Sequence, residues 1–205
     1  MGVKQISRSL ILTFLVFFFS KDVAFSQHAD SKRVILVLDG TYTMRGNNSL
    51  DIMKSWANTA IDYFNDGDSL CIITFSNYAK VSVPFLPVHH RQFMLNVVED
   101  ITPTLATYVY DGLSLALEAH NWRNTDQLRE SVIVLLSDGL APNDNRLDAI
   151  ASEIDSLNCI LHVVQTTFAD DMYVNQLKTL AENAGGVYLQ GLSFKPERIV
   201  PLIRH

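Results

Sequence analysis

Apolar residues fall along this chain in two patterns. In the first they are continuous. Val34-Ile35-Leu36-Val37-Leu38 and Val132-Ile133-Val134-Leu135-Leu136 show no polar alternation. Such runs read as strands covered on both faces, as in a parallel sheet. Shorter apolar runs at Cys71–Phe75, Ile160–Val164 and Val187–Leu189 read as further strands. In the second pattern they recur at helical spacing, as in Leu50, Met53, Ala57, Ala60, Ile61 and Phe64. Helices are also expected around Arg91–Val98, Gly112–His120, Arg146–Leu157 and Met172–Ala184, with a last one near Lys195–Ile203 packed across the sheet. Ser76-Asn77 leaves too short a connection for a crossover, so Val81–Leu86 must return antiparallel to the Cys71 strand. Pro84 within it fits only an edge. Strands alternating with helices give an α/β fold with a mostly parallel sheet.

The first long strand stops on Asp39, followed by hydroxyls at Thr41 and Thr43. Ligands of open α/β sheets bind outside the carboxyl ends of strands. A carboxylate with two neutral hydroxyl oxygens suits a hard divalent cation and suits zinc or copper poorly. The second long strand also ends on a carboxylate, in Leu135-Leu136-Ser137-Asp138-Gly139, and a Thr-rich loop, Ile101 to Leu113, lies between the two. In these three motifs the chain resembles the von Willebrand factor type A (VWA) family over roughly Ser31 to His205. That family carries a metal-ion-dependent adhesion site built from D-x-S-x-S, a distant Thr and a distant Asp. Here the first motif reads D-G-T-Y-T, with Thr in place of Ser. Aligning Gly112-Leu113 to the end of the family's loop motif places Thr107 at the metal-site Thr, and Asp138 matches the last carboxylate. Leu105-Ala106 stand where the family usually has glycines.

The resemblance implies a doubly wound, mostly parallel six-stranded sheet of order 3-2-1-4-5-6, with one antiparallel edge strand and flanking helices. It also implies a divalent cation, magnesium first with calcium or manganese as alternatives, on Asp39, Thr41, Thr43, Thr107 and Asp138. An extracellular protein ligand then supplies an Asp or Glu to the open coordination position. Tyr42, Tyr108 and Leu140 are expected at the rim of that position. Secreted and channel-associated members, such as the calcium-activated chloride channel regulators and the calcium-channel α2δ subunits, are similar in this respect. In the implied strand order the strands of Cys71 and Cys159 stand three steps apart, roughly 14 Å at about 4.8 Å per step. A disulfide needs Cα atoms within about 7 Å, so two buried free thiols are expected.

Composition and the chain ends add a setting. Lys4 and Arg8 precede the apolar core Leu10–Phe19, and Ala24-Phe25-Ser26 offers small residues for a signal peptidase. A membrane span needs about 20 apolar residues, which this core lacks. Residues 1–26 are therefore read as a signal peptide and 27–205 as a single domain, secreted to the extracellular space. Losing Lys4, Arg8, Lys21 and Asp22 takes 16 positive and 22 negative charges to 13 and 21, so the net charge moves from −6 to −8. An acidic chain lacks the basic footprint of a nucleic-acid binder. Asn47-Asn48-Ser49 is a glycosylation sequon just after the expected metal site.

Two other functions stand beside the metal-dependent binding module. A VWA fold without metal would act as a plain scaffold. Leu38-Asp39-Gly40-Thr41 also looks like the D-x-D-G-T of haloacid dehalogenase-type phosphatases. Val37 stands where their nucleophilic aspartate belongs, so no phospho-aspartate can form. No enzymatic activity is expected and no catalytic residue is assigned. His89-His90 read as a helix-entry turn and His162 as a core histidine.

Overall fold

The computed structural model describes residues 31–105, 108–122, 131–139, 144–167, 171–191 and 193–204. The expected signal peptide, Thr107 and Leu140 lie outside them. Lys32–His205 forms one compact unit.

Six strands build the sheet: β1 Arg33–Asp39, β2 Ser69–Phe75, β3 Ala79–Pro87, β4 Ser131–Ser137, β5 Ile160–Gln165 and β6 Tyr188–Gln190. Their order is β3-β2-β1-β4-β5-β6. All neighbours pair parallel except β2 with β3. Fold class, strand order and antiparallel edge are thus those expected. Pro84 sits on the edge strand, in the irregular stretch where the register jumps from Leu70↔Leu86 to Ile72↔Val83. A bulge at an edge tolerates the missing backbone donor.

The helices are α1 Ser49–Asp62, α2 Arg91–Glu99, α3 Val109–Asn121, α4 Leu147–Ser156, α5 Asp171–Asn183 and α6 Ile199–Arg204. The period-2 alternation of β1 divides the core. Ile35 and Val37 join a cluster with Leu113 and Ala116 of α3, Ile150 and Ile154 of α4, and Leu180 of α5. Val34, Leu36 and Leu38 face Met53, Trp56 and Ile61 of α1, Met94 and Val98 of α2, and Ile199 and Ile203 of α6. Burying each such side chain contributes about 1.5–3 kcal/mol, so both faces must be covered. Cys71 and Cys159 are free, buried thiols. Burial lifts them to about 12 and about 11 respectively, which makes them poor nucleophiles. His162 is buried with Nδ1 accepting from Val187 N at 3.0 Å, and Val88–His90 is a 3-10 turn into α2.

The start of α3 differs from expectation. It begins at Val109 rather than Gly112, so Tyr110 and Asp111 belong to its first turn. Val109 is already buried in the core, but Tyr110 and Asp111 interrupt the apolar spacing, which becomes regular only one turn later, where the helix packs most tightly on the sheet. Gly112 marks that meeting. A Cβ there would stand 2.8 Å from Phe75 Cδ1 and 3.0 Å from Val37 Cγ1, closer than real side chains pack.

Candidate metal centre

The carboxyl ends of β1 and β4 are neighbours, and the parallel register runs to Leu38↔Leu136. One residue further, Asp39 faces Ser137, and Asp138 follows. Both carboxylates are buried, at 3% and 1% exposure. Asp39 Oδ1 accepts from the Thr41 backbone N at 2.9 Å, a turn that fixes the chain as it leaves the strand. Asp39 Oδ2 accepts from Ser137 Oγ at 2.5 Å. Thr41 Oγ1 and Thr43 Oγ1 lie 3.0 Å apart. A 3-10 turn over Tyr42–Arg45 carries Thr43 back beside Thr41. The structure therefore gathers Asp39, Thr41, Thr43 and Asp138 at one sheet edge, while Thr107 is outside the described residues.

The electrostatics of this edge are strained. Burial first, then the charge of Asp138, raises Asp39 to about 6, against the hydrogen bonds from Ser137 and Thr41. A pair of buried carboxylates with hydroxyl oxygens beside them has the donor chemistry of a hard divalent cation. The set fits such an ion: all donors are oxygen, and a cation there would offset the repulsion that burial imposes. Among the described residues no three His, Cys, Asp or Glu side chains gather where they could hold a metal ion, and this edge brings two carboxylates together, not three.

Three supporting groups were not legible as such in the sequence. Ser137 orients Asp39, and its Oγ also accepts from Gly139 N at 3.1 Å. Sliding the two long apolar runs into register would have placed it opposite Asp39. Buried Gln165 donates from Nε2 to the Asp138 carbonyl at 3.1 Å and accepts from the Tyr188 hydroxyl. Gly139 has φ +79, and a Cβ there would meet Gln165 Nε2 at 2.8 Å. Arg146 is the third. It holds Asp144 by two side-chain hydrogen bonds of 2.8 and 2.7 Å and lies over Tyr108 at 5.0 Å and Tyr110 at 4.2 Å. Those bonds keep Asp144 below the usual carboxylate range. Arg146 thus ties the entry to α4 to the first turn of α3.

The residues expected at the rim are exposed where they are described. Tyr42 is 61% exposed, Leu105 70% and Tyr108 43%. Leu105 follows Thr104 in the chain, and Leu140 lies outside the described residues. Thr104 N donates to Gly40 O at 3.0 Å, and Thr104 bridges Thr41, so the Thr-rich loop closes on the Asp39 turn. Arg45 donates to Pro103 O at 3.0 Å from the other side. Asn47 is exposed, has φ +50 and donates from Nδ2 to Thr167 Oγ1 at 3.2 Å.

Comparison with known proteins agrees with this architecture. Solved structures with the same fold include an aerotolerance-related membrane protein from Bacteroides fragilis NCTC 9343, with TM-score 0.70 and 16% identity over 84% of this chain and 96% of that one. The manganese-loaded TRAP protein of Plasmodium vivax gives TM-score 0.69 and 16% identity over 85% and 74%. Proximal thread matrix protein 1 from the mussel byssus, with a zinc-occupied MIDAS motif, gives 0.66 and 20% over 98% and 53%. At these identities the likeness is one of fold. No curated protein sequence matches the chain. No helix among the described residues is long and apolar enough to cross a membrane. Domains of the VWA kind are typically non-catalytic modules that bind protein ligands. Residues 34–140, from the first strand through the Asp138 turn, match the von Willebrand factor type A domain, and the chain belongs to that family.

Proposed function

We propose that this protein is a secreted, metal-dependent protein-binding module of the adhesion type. Asp39, Thr41, Thr43, Thr107 and Asp138 hold one divalent cation, magnesium first. The observation that carries this reading is the pair of buried carboxylates at adjacent strand ends, with Asp39 raised to about 6 by burial and by its neighbour. A fold that needed no ion would gain by replacing one of them. The metal-loaded states of the Plasmodium and mussel structures support the same reading by analogy of fold. When bound, the cation supplies a coordination position that accepts a partner carboxylate. Tyr42, Leu105 and Tyr108, with Leu140, form the contact surface around that position, in the manner of an apolar hot-spot ring about a polar centre. Ser137 and Gln165 orient the two aspartates, and Arg146 holds the flanking loops together.

The setting belongs to the proposal too. Residues 1–26 act as a signal peptide, 27–205 form the mature domain in the extracellular space, and Asn47 is an N-glycosylation acceptor beside the binding edge.

Thermal melts of the mature protein in Mg²⁺ and in EDTA test the cation. Binding to the native state alone adds RT ln(1 + [L]/Kd), about 2.7 kcal/mol at a hundredfold excess over Kd. The wild type is expected to melt higher in Mg²⁺, and Asp39→Ala to melt alike in both. Equal Mg²⁺ responses would remove the assignment and leave the metal-free scaffold.

A further inference from the structure

A cleft of 570 Å³ opens directly beside the candidate metal edge. Gly40 and Thr104 form its near end, and these residues also close the Asp39 turn. From there it crosses the end of β2 at Thr74 and Ser76 and reaches Lys80 and Ser82 of β3. Thr74 and Ser82 bond each other through their hydroxyls at 2.8 Å, which fixes a polar stretch of a lining that also includes Val81, Val97 and Ile101. No aromatic ring lines the cleft among the described residues, so it lacks the stacking platform a sugar would use. Hydroxyls suit the amides and carbonyls of an extended polypeptide. Lys80 is exposed and makes none of the ion pairs found among the described residues.

The strand register gives the scale. Leu38 pairs with Thr74, and Thr74 pairs with Lys80. Lys80 therefore stands two strand spacings, about 10 Å, from the end of β1 where Asp39 lies. A chain in the extended polyproline II form advances about 3.1 Å per residue and returns its side chains to one face every third residue, so three residues cover that span with both carboxylates facing the protein.

We infer that the partner segment is extended and diacidic, with one carboxylate at the candidate cation and a second, three residues away, on Lys80. This rests on the metal-dependent reading above. Asp100 lines the same cleft at the end of α2 and opposes further acids, so the segment is a spaced pair rather than a polyacidic run.

The probes are end-blocked peptides carrying Asp-Ser-Ser-Asp, Asp-Ser-Ser-Asn, or two Asp separated by five Ser, titrated by NMR against the mature protein in saturating Mg²⁺. An exposed ion pair is weak, so the expected preference for Asp-Ser-Ser-Asp over the other two is about three- to fivefold. Lys80→Ala is expected to abolish it and Lys80→Glu to invert it, with unchanged melting temperatures because Lys80 is exposed. Equal affinity for all three peptides, a preference that survives Lys80→Ala, or no peptide binding by a protein that still responds to Mg²⁺ would overturn this inference alone. Absence of any cation response in the melts would overturn the metal-dependent reading, and this inference with it.

Discussion

Asp39 is where burial and charge conflict most sharply. Its folded value of about 6 lies above the ordinary carboxylate value near 4, so the sign is that of a raised group. The stability it contributes is fully present below about pH 4 and is lost as pH rises through about 6. A shift of this size corresponds to on the order of 3 kcal/mol lost by pH 7 in the absence of metal. Asp39→Asn keeps an acceptor for Thr41 N and can donate to Ser137 Oγ. In EDTA at pH 7 this variant is expected to melt above the wild type, with the gap closing by pH 4. Urea unfolding at both pH values measures it, and a variant that is no more stable at pH 7 would show that Asp39 is not strained. Ser137→Ala removes one of the donors that lower Asp39. It should weaken Mg²⁺ binding by roughly tenfold, as loss of groups that orient metal ligands commonly does, and isothermal titration reads that directly. The acidic ends of the two long strands could be picked out in the sequence. The Ser137 contact joins residues 98 apart and becomes legible only once β1 and β4 are set side by side and their apolar runs are slid into register.

At the scale of elements, the site depends on how tightly helices and turns approach the sheet. Gly112 lets α3 lie against Phe75 and Val37. Gly112→Ala forces that helix outward, and overpacking of this kind costs about 1–3 kcal/mol. A denaturation midpoint lowered with an unchanged m-value is the expected readout. Arg204 supplies another tie: it donates to buried Asp68 at 2.9 Å and also to the Tyr63 carbonyl, fastening α6 beneath the α1–β2 turn. Asp68 also accepts from the backbone of Lys32 and Asn65, both at 2.8 Å. Arg204→Ala leaves a buried carboxylate with neutral donors only. It is expected to destabilise by about 2–3 kcal/mol, less than the ~3–5 kcal/mol of a fully buried pair, because Arg204 is partly exposed and those donors remain. The helices themselves were legible from their apolar spacing to within a residue or two at most ends. The early start of α3 was not, because Tyr110 and Asp111, which meet Arg146, follow the lone core residue Val109 and break the apolar spacing of the first turn.

For the whole molecule, the strand order decides what can meet. Cys71 and Cys159 lie on one face of the sheet yet belong to β2 and to the entry of β5, with β1 and β4 between. Alkylation of the denatured, unreduced protein should give two labels by mass spectrometry, and one disulfide-linked peptide would contradict the order. The same order puts β1 and β4 at the centre, with the loops that follow them at one edge, which is where an open α/β sheet accepts a ligand. A pull-down from extracellular material is expected to retain its partner in Mg²⁺ and lose it in EDTA. Retention in both, or by Asp138→Ala, would favour the metal-free scaffold.

The sequence by itself determined the element types, because period-2 and period-3.6 burial leave different marks on a linear chain. It also marked Asp39, Thr41, Thr43 and Asp138 as oxygen donors at strand ends, since a run of five apolar residues that stops on a carboxylate says where the strand leaves the core. Tertiary structure alone decided which groups support those donors. Gln165 and Arg146 are ordinary polar residues whose spacing carries no signal, and Ser137 gains one only from the pairing of β1 with β4. They acquire a role only when parallel pairing brings their elements to one edge. The cleft from Gly40 to Lys80 is of the same kind. Its walls come from the turn after β1, from β2, β3 and α2 and from the Thr-rich loop, and a cavity between elements has no counterpart in the order of residues along the chain.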